Sequence, residues 1–372
     1  MSEALEAVHR LVVKVGSSVL TDERGRLLSE RVGRLVEDVA GWIAGSGHRQ
    51  AVIVSSGAIA CGMAKLGLPR RPTALAQLQA CAAIGQSELM HLYTAAFGRC
   101  ALTTAQILLT QEDLADRARY RNAKQTLLTL LHRRVVPVVN ENDTVSVDEI
   151  TFGDNDRLAA LVAATIDAHL LVLLSDVDGL LHNGRPVERV EAAARLPSVS
   201  LHERRRHTTK GGMASKLEAA RIVGHSGIPM IIANGTRPSV VTQLLAGEPT
   251  GTLFVPPRQR LTSRKWWLAF ALRHPKGTLI VDEGAGKALS ERGKSLLASG
   301  VLEVKGRFDA GSCVAVIDQG GTALARGIAN FSSGEIARVR GLHSAEAAQR
   351  LGQPRAREVI HRDQLVLTRE LQ

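Results

Sequence analysis

Short apolar runs alternate with longer amphipathic segments through the first two thirds of the chain. The apolar runs predict buried strands at residues 11–15, 51–54, 103–109, 135–139, 170–174 and 230–233. Helical periodicity predicts helices between them, over residues 29–46, 73–97, 120–131, 156–167 and 217–225. Such alternation is typical of a parallel sheet that is covered by helices on both faces. We therefore predict an α/β fold, a three-layer α/β/α sandwich with a mostly parallel central sheet.

The pattern changes beyond residue 250. A basic segment with two prolines, VPPRQR at residues 255–260, precedes apolar runs that are short and separated by glycines. These runs predict one helix at about residues 287–298 and strands at residues 278–281, 301–304, 313–317 and 324–328. Closely spaced short strands are typical of a small β-barrel-like domain. We therefore predict an α/β domain of residues 1–256, a linker of residues 257–275 and a second domain of residues 276–372.

Length and composition narrow the class of protein. The 372 residues suffice for one large domain and a smaller one, and 45% hydrophobic and 22% charged residues are typical of a soluble globular protein. No apolar run approaches the roughly 20 residues of a transmembrane helix, and the N-terminus shows no secretory signal. The four cysteines lack the spacing of a metal site and predict reduced thiols. We therefore expect a cytoplasmic protein without a membrane partner.

One acidic segment contrasts with the net charge of +11, a charge that permits binding of phosphates or nucleic acid. Between residues 138 and 156 there is no lysine or arginine, whereas six carboxylates occur there: Glu141, Asp143, Asp148, Glu149, Asp154 and Asp156. Crowded carboxylates repel one another unless a cation, an ammonium group or a metal lies among them. The alternative is a solvated acidic loop. The strand at residues 135–139 ends directly before this segment, where open α/β sheets bind ligands.

Polar turns with glycine follow other predicted strands. Lys14 lies near the end of the first strand, where its ammonium group could meet an anion or could instead reach solvent at a sheet edge. Ser56 and Gly57 follow the second strand and precede a helix, so that they either bind an anionic ligand or form an ordinary helix cap. In a doubly wound sheet these turns converge on one edge, together with the turns at Asn140 and Ser175.

The chain contains, in this order, the stretches LVVKVGSSVLT, VSSGAIACGM, PVVNENDTV, FGDND, LLSDVDGLL and KGGMASKLEAA. Together they resemble the signature sequences of the glutamate 5-kinases, a group within the amino-acid kinase family. The C-terminal part, from GTLIVDEGAG onward, resembles a PUA domain. The resemblance covers nearly the whole chain and implies an amino-acid kinase fold followed by a PUA domain.

This resemblance implies a kinase that uses ATP and Mg²⁺. It implies transfer of the γ-phosphoryl group of ATP to the side-chain carboxylate of L-glutamate, which forms γ-glutamyl phosphate in the first step of proline biosynthesis. It also implies a homo-oligomer, a dimer or a tetramer, and feedback inhibition by proline. Two alternatives stay open. One is an amino-acid kinase for another carboxylate substrate, and the other is an RNA-binding PUA protein with a basic patch around residues 258–265.

Roles for single residues come from the positions that match the family. The resemblance implies catalytic roles for Lys14 and Lys216, beside the phosphoryl group and the nucleotide, and for Asp156, which would orient both lysines. It implies substrate binding by Ser56, Gly57, Asp143 and Asn155. It implies ATP binding by Lys14, Ser175, Asp176, Lys210, Gly211, Gly212, Met213, Ala214, Ser215 and Lys216. No side chain is assigned to a metal. A lysine at position 210, where the family usually has a small residue, either touches a phosphate or lies in solvent.

Overall fold

The computed structural model describes residues 7–22, 26–146, 155–191, 212–272, 275–354 and 357–371. The chain divides into two compact units, Met1–Arg260 and Leu261–Gln372, and each has its own hydrophobic core. The second unit therefore begins within the segment that the sequence predicts to be a linker, residues 257–275.

Strands and helices alternate along most of the first unit. Its strands are β1 (Arg10–Val15), β2 (Gln50–Ser55), β3 (Thr104–Leu109), β4 (Val136–Glu141), β5 (Leu170–Ser175), β6 (Leu181–His182), β7 (Arg185–Pro186), β8 (Arg189–Glu191), β9 (Met230–Asn234) and β10 (Thr252–Val255). Its helices are α1 (Ser17–Leu20), α2 (Ser29–Ala44), α3 (Ala58–Lys65), α4 (Leu75–Arg99), α5 (Gln111–Ala115), α6 (Arg117–His132), α7 (Asn155–Thr165), α8 (Met213–Gly224) and α9 (Val240–Leu245).

A sheet of eight strands forms the centre of the first unit, in the order β3-β4-β2-β1-β5-β9-β10-β8. Its neighbouring strands run parallel, except for β9 and β10, which are antiparallel. The predicted α/β fold with a mostly parallel central sheet is confirmed. Strands β1, β2, β4, β5 and β9 end at the same edge. The chain order reverses at β1, with β2 on one side and β5 on the other, and such a reversal is where α/β sheets bind ligands.

Hydrophobicity explains which strands lie in the middle of this sheet. Strands β1, β2 and β5 are buried along nearly their whole length, as expected when helices cover both faces of a parallel sheet. On α2 the buried residues Val32, Val36, Val39 and Ile43 recur at helical spacing and pack into the same core as the alternate residues of β1.

Helices α3 and α4 approach each other at two glycines. A Cβ atom on Gly85 would lie 1.8 Å from the carbonyl oxygen of Ala58, and a Cβ atom on Gly62 would lie 1.8 Å from that of Cys81. No side chain fits into such a space, because protein interiors are already close-packed. Glycine is therefore required at both positions, and the contact holds the start of α3 against the middle of α4.

Two helices of the first unit begin earlier than the sequence predicts. Helix α6 begins at Arg117 rather than at residue 120, because a carboxylate oxygen of Asp116 accepts hydrogen bonds from the N–H groups of Ala118 and Arg119. Helix α8 begins at Met213 rather than at residue 217. Strands β8 and β10 were not predicted, since strands of 3 and 4 residues carry little periodic signal.

The second unit is built around a mixed sheet of five strands. These are β11 (Gly277–Val281), β12 (Val301–Lys305), β13 (Cys313–Ile317), β14 (Ala323–Ile328) and β15 (Leu365–Leu367). They lie in the order β12-β11-β13-β14-β15, and β11 with β13 is the parallel pair. The helical segments are α10 (Ser263–Trp266), a π-helical turn (Trp267–Ala271), α11 (Glu283–Arg292), α12 (Ser333–Val339), α13 (Ser344–Arg350) and 3₁₀ turns at Ala298–Gly300, Arg362–Gln364 and Thr368–Leu371.

The helix predicted at residues 287–298 lies earlier in the chain, as α11. It begins at Glu283 because the carboxylate of Asp282 accepts a hydrogen bond of 2.6 Å from the N–H group of Ala285. It ends at Gly293, whose φ of 56° is in the left-handed region that glycine adopts readily. The two capping residues therefore decide where this helix starts and stops.

Helix α10 and the π-helical turn, both within the predicted linker, pack inside the second unit. The Nζ atom of Lys265 lies 2.8 Å from a carboxylate oxygen of Glu370. A guanidinium nitrogen of Arg326 donates hydrogen bonds to the carbonyl oxygens of Ala269 and Leu272, at 3.2 and 3.1 Å. None of the helices in the part of the chain that the structure describes is long and apolar enough to cross a membrane.

Candidate active site

A buried carboxylate binds two lysines at the carboxyl edge of the central sheet. Asp156, in the first turn of α7, is 0% exposed, and its Oδ1 lies 2.6 Å from Nζ of Lys14 on β1. Its Oδ2 lies 3.0 Å from Nζ of Lys216 on α8 and accepts a hydrogen bond of 2.9 Å from the hydroxyl of Ser215. Lys14 and Lys216 are only 4% and 5% exposed. Three separate elements therefore meet at one carboxylate.

The charges of this cluster decide the protonation state of Asp156. Burial acts to raise the pKa of its carboxyl group, but the charges and hydrogen bonds of Lys14 and Lys216 outweigh that effect and hold the pKa below its usual value. Asp156 is therefore ionised at neutral pH and is suited to positioning ammonium groups rather than to accepting a proton. The two lysines and one carboxylate leave a net positive charge, which favours a bound anion such as a phosphoryl group.

The position of Lys14 follows from the sheet. It lies on β1 between β2 and β5, and the N–H group of Gly16 directly beyond the strand donates a hydrogen bond of 3.0 Å to the carbonyl oxygen of Leu174 on β5. Strand β1 is also the strand at which the chain order of the sheet reverses. Lys14 is therefore not on an edge strand, so the alternative of a lysine that reaches solvent at a sheet edge does not apply.

Asn155 ties the ends of two strands to the start of α7. Its Nδ2 lies 2.6 Å from the carbonyl oxygen of Ser55, 3.0 Å from the hydroxyl of Ser56 and 2.9 Å from Oδ1 of Asn140. An amide NH₂ group has two hydrogen atoms, so three acceptors share them. Asn155, the neighbour of Asp156, is therefore hydrogen-bonded both to the end of β2 and to the end of β4.

Ser56 does not cap α3. The N-cap of this helix is Gly57, with a φ of 107° that only glycine adopts without strain, and this N-cap has no side chain to accept a hydrogen bond from the first turn. The hydroxyl of Ser56 faces Asn155 instead, and its N–H group donates to the carbonyl oxygen of Val15 at 3.1 Å. The structure therefore excludes the ordinary helix cap that the sequence left open for Ser56.

Asp143 lies in the turn after β4 and is partly buried. Burial raises the pKa of its carboxyl group to about 6, and the charge of the nearby Arg71 lowers it in part. A carboxylate in such a site gains from an additional cation, for example a substrate ammonium group. Within the acidic segment, Asp148, Glu149 and Asp154 lie outside the described residues.

Apart from Lys14 on β1, the predicted ATP-binding residues that the structure describes lie at the end of β5 and at the start of α8. The hydroxyl of Ser175 donates a hydrogen bond of 3.0 Å to Asp176, and the carbonyl oxygen of Ser175 accepts one from Gly235. Gly212 is the N-cap of α8 and Met213 is its first residue, and a glycine cap has no side chain to bind the first N–H groups. The N–H groups at such a helix start suit a phosphate. Ala214, Ser215 and Lys216 follow on this helix, whereas Lys210 and Gly211 lie outside the described residues.

Gln86 and Arg157, both beside the cluster, were not predicted from the sequence, whereas Asn140 was placed at this edge. Asn140 and Gln86 join the hydrogen bonds around Asn155, and Arg157 pairs with Glu218 of α8 directly beside the lysine cluster. Gln86 directly follows the apolar run at residues 80–85 of α4 and precedes Ser87 and Glu88, so the local pattern did not single it out. The partner of Arg157 is 61 positions away along the chain, so no local pattern points to it.

The second unit contains an open cavity of about 710 Å³ on the side of α11. Lys294, His361 and Arg362 line it together with Asp282 and Glu358. The lining therefore carries both signs of charge. This cavity is separate from the lysine cluster, which belongs to the first unit.

Each of the two units matches a known protein family or domain. Residues 9–234 match the profile of the amino acid kinase family, and residues 277–351 match the profile of the PUA domain. The chain is 46% identical to a glutamate 5-kinase of Geobacter metallireducens, over 98% of each chain. It is 48% identical to a glutamate 5-kinase of Thermus thermophilus, over 97% of this chain and 98% of the other. Among solved structures, a carbamate kinase from Giardia lamblia bound to AMP-PNP aligns with a TM-score of 0.48 at 18% identity, over 67% of this chain and 99% of that one.

Proposed function

Because the chain belongs to the amino acid kinase family and, within it, to the glutamate 5-kinases, we propose that it transfers the γ-phosphoryl group of ATP to the side-chain carboxylate of L-glutamate. The product is γ-glutamyl phosphate, and the reaction is the first step of proline biosynthesis. The observation that carries the proposal is the buried carboxylate of Asp156 between Lys14 and Lys216. It holds two cations rigidly where the chain order of the sheet reverses.

The geometry suits phosphoryl transfer to a carboxylate. This reaction needs reactants held in line and fixed positive charge near the equatorial oxygens of the phosphoryl group, because little covalent chemistry falls to the protein. Lys14 and Lys216 would provide that charge, and Asp156 would keep both ammonium groups in place while charge moves. The substrate carboxylate is itself the nucleophile and has no proton to lose. No general base is therefore required, in keeping with the low pKa of Asp156.

Mg²⁺ fits this site as a partner of ATP. The part of the chain that the structure describes holds no group of three or more His, Cys, Asp or Glu side chains that could bind a metal, and both oxygens of Asp156 already contact lysine or serine. Mg²⁺ commonly binds substrate phosphates and water with few protein ligands. When bound with ATP it would supply further positive charge at the phosphates.

Glutamate binding is proposed at the ends of β2 and β4. Asp143 would accept the α-ammonium group, because its partly buried carboxylate is stabilised by an added cation. Ser56, Gly57 and Asn155 would line the same pocket, and Asn155 already holds the hydroxyl of Ser56 at 3.0 Å. An N-acetylated substrate offers no ammonium group and would gain nothing from Asp143.

A coupled assay with hydroxylamine tests the function directly. With MgATP we expect L-glutamate to give ADP and a γ-hydroxamate, and N-acetylglutamate and L-aspartate to give little of either. Equal turnover of glutamate and N-acetylglutamate would contradict the assignment. N-acetylglutamate lacks the free ammonium group that Asp143 would bind, whereas L-aspartate has that group but a side chain that is one methylene group shorter.

Glutamate binding should weaken as the pH falls through about 6. The raised pKa of Asp143 means that its carboxyl group takes up a proton in this range, and the protonated form cannot pair with an ammonium group. Between pH 7 and pH 5 the ionised fraction falls about tenfold, so the KM for glutamate should rise about tenfold. The check is a pH series of glutamate KM, with Asp143→Asn as control. A slope that persists unchanged in Asp143→Asn would assign it to another group.

Other properties stay predictions. Feedback inhibition by proline, assembly into a dimer or tetramer, and RNA binding by the PUA-like second domain follow from the family resemblance and net charge alone. The same holds for the cytoplasmic location. The catalytic and binding roles given above to single residues are likewise proposals, supported by the distances between them.

A further inference from the structure

Gln86 is a buried polar residue whose place depends on the glycine before it. It lies on α4 and is 9% exposed. Gly85 lets α4 approach the carbonyl oxygen of Ala58 at the start of α3, where any larger residue would overlap it. This approach brings Gln86 to the carboxyl end of β4, where its Oε1 accepts a hydrogen bond of 2.8 Å from Nδ2 of Asn140.

Two hydrogen bonds on opposite sides of the Asn140 amide fix which way it faces, one to Gln86 and one from the backbone N–H group of Glu141. Because Nδ2 of Asn140 donates to Gln86, its Oδ1 is left to accept from the N–H group of Glu141 and from Nδ2 of Asn155, both at 2.9 Å. A rotation of the amide by half a turn would place an NH₂ group against the NH₂ group of Asn155, and two donors repel each other. Together with the N–H group of Glu141, Gln86 thus holds Oδ1 of Asn140 toward Asn155.

The amide of Gln86 is satisfied on its oxygen side but not on its nitrogen side. Its Nε2 is buried and has no hydrogen-bond partner among the residues that the structure describes. A buried donor without an acceptor costs stability, and an apolar residue would avoid that cost only by leaving Nδ2 of Asn140 without its acceptor. The benefit of the glutamine must therefore lie in the acceptor that it presents to Asn140.

We propose that Gln86 is a positioning residue for the acceptor substrate, which fixes Asn155 through Asn140. The inference rests on the proposed function, in which Asn155 lines the glutamate pocket. In this arrangement Gln86 would act through Asn140 rather than by contact with a substrate. Its loss should therefore act on the binding of glutamate and leave the binding of ATP, beside Lys216 and Ser175, nearly unchanged.

Steady-state kinetics of Gln86→Met test this inference. Methionine has a similar length and volume but cannot accept the hydrogen bond, so the Asn140 amide loses one of the two contacts that orient it toward Asn155. We expect the KM for glutamate to rise about tenfold, with the KM for ATP within about twofold of that of the unaltered protein. Gln77→Met is the matched control, since Gln77 is an exposed residue of the same helix and should show neither change.

A second variant covers the case in which Gln86→Met does not fold. Gln86→Asn keeps a polar side chain that is one methylene group too short to reach Asn140, and it should raise the glutamate KM in the same way. Equal rises of both KM values, or a glutamate KM within about twofold of that of Gln77→Met, would overturn the positioning role. Failure of the unaltered protein to phosphorylate glutamate would instead overturn the proposed function and this inference with it.

Discussion

Replacing Asp156 with asparagine should lower kcat by about three orders of magnitude. Loss of one preorganised electrostatic contact at a transition state typically costs about 10²–10³ in rate, and this substitution releases two lysines at once. Asparagine has nearly the same shape, but its NH₂ group would face an ammonium group, and both are donors. Lys14 and Lys216 would then lose both the contact that positions their ammonium groups and the negative charge that balances them. Single-turnover measurements with saturating MgATP and glutamate give the rate of the chemical step.

The same substitution should lower the free energy of unfolding by about 3–5 kcal/mol, because it leaves two buried ammonium groups without their counter-ion. Urea denaturation measures this loss. Asp167→Asn is the matched control: Asp167 lies just beyond the end of α7, its side chain is 70% exposed, and it forms a surface ion pair with Lys124. It should change stability by less than about 1 kcal/mol. A folded Asp156→Asn protein with kcat within about threefold of normal would remove Asp156 from the catalytic machinery.

Replacing Gly85 with alanine should destabilise the first unit by about 3 kcal/mol or more. The added Cβ atom would lie 1.8 Å from the carbonyl oxygen of Ala58 and 2.5 Å from the backbone nitrogen of Gly62. Backbone atoms cannot rotate away as a side chain can, so the two helices must separate. The separation would also withdraw Gln86 from Asn140, and the KM for glutamate should rise with the loss of stability.

Gly98→Ala gives a control of opposite sign on the same helix. Gly98 is exposed, and an added Cβ atom meets nothing within 4 Å. Alanine is favoured over glycine by about 0.5–1 kcal/mol in a helix interior, and Gly98 lies in the last turn of α4, so this variant should be more stable than the unaltered protein by less than that amount. The two midpoints of urea denaturation should therefore move in opposite directions. Equal shifts would show that the close contact at Gly85 does not constrain the helices.

Prediction from sequence was most accurate where a local pattern carries the structural cause. The strands that begin near residues 11, 51, 135 and 170 follow from runs of apolar residues, which have to be covered on both sides. The predicted helix at residues 287–298 was displaced, because Asp282 and Gly293 decide the ends of α11 and periodicity does not show them. The short strands β8 and β10 were missed for want of a pattern.

By itself, the sequence determined the class of fold, the polar turns at the strand ends and, through its motifs, the family. It did not determine which side chains meet. Lys216 and Asp156 are 60 positions apart, and Asn140 and Gln86 are 54 apart. Only the tertiary structure brings these pairs within hydrogen-bond distance. Their proximity depends on the order of the strands in the sheet and on the two glycines, Gly62 and Gly85, that let α3 and α4 touch. The physical reason is that periodicity reports which face of an element is buried, whereas the partner of a buried polar group depends on elements far away in the chain.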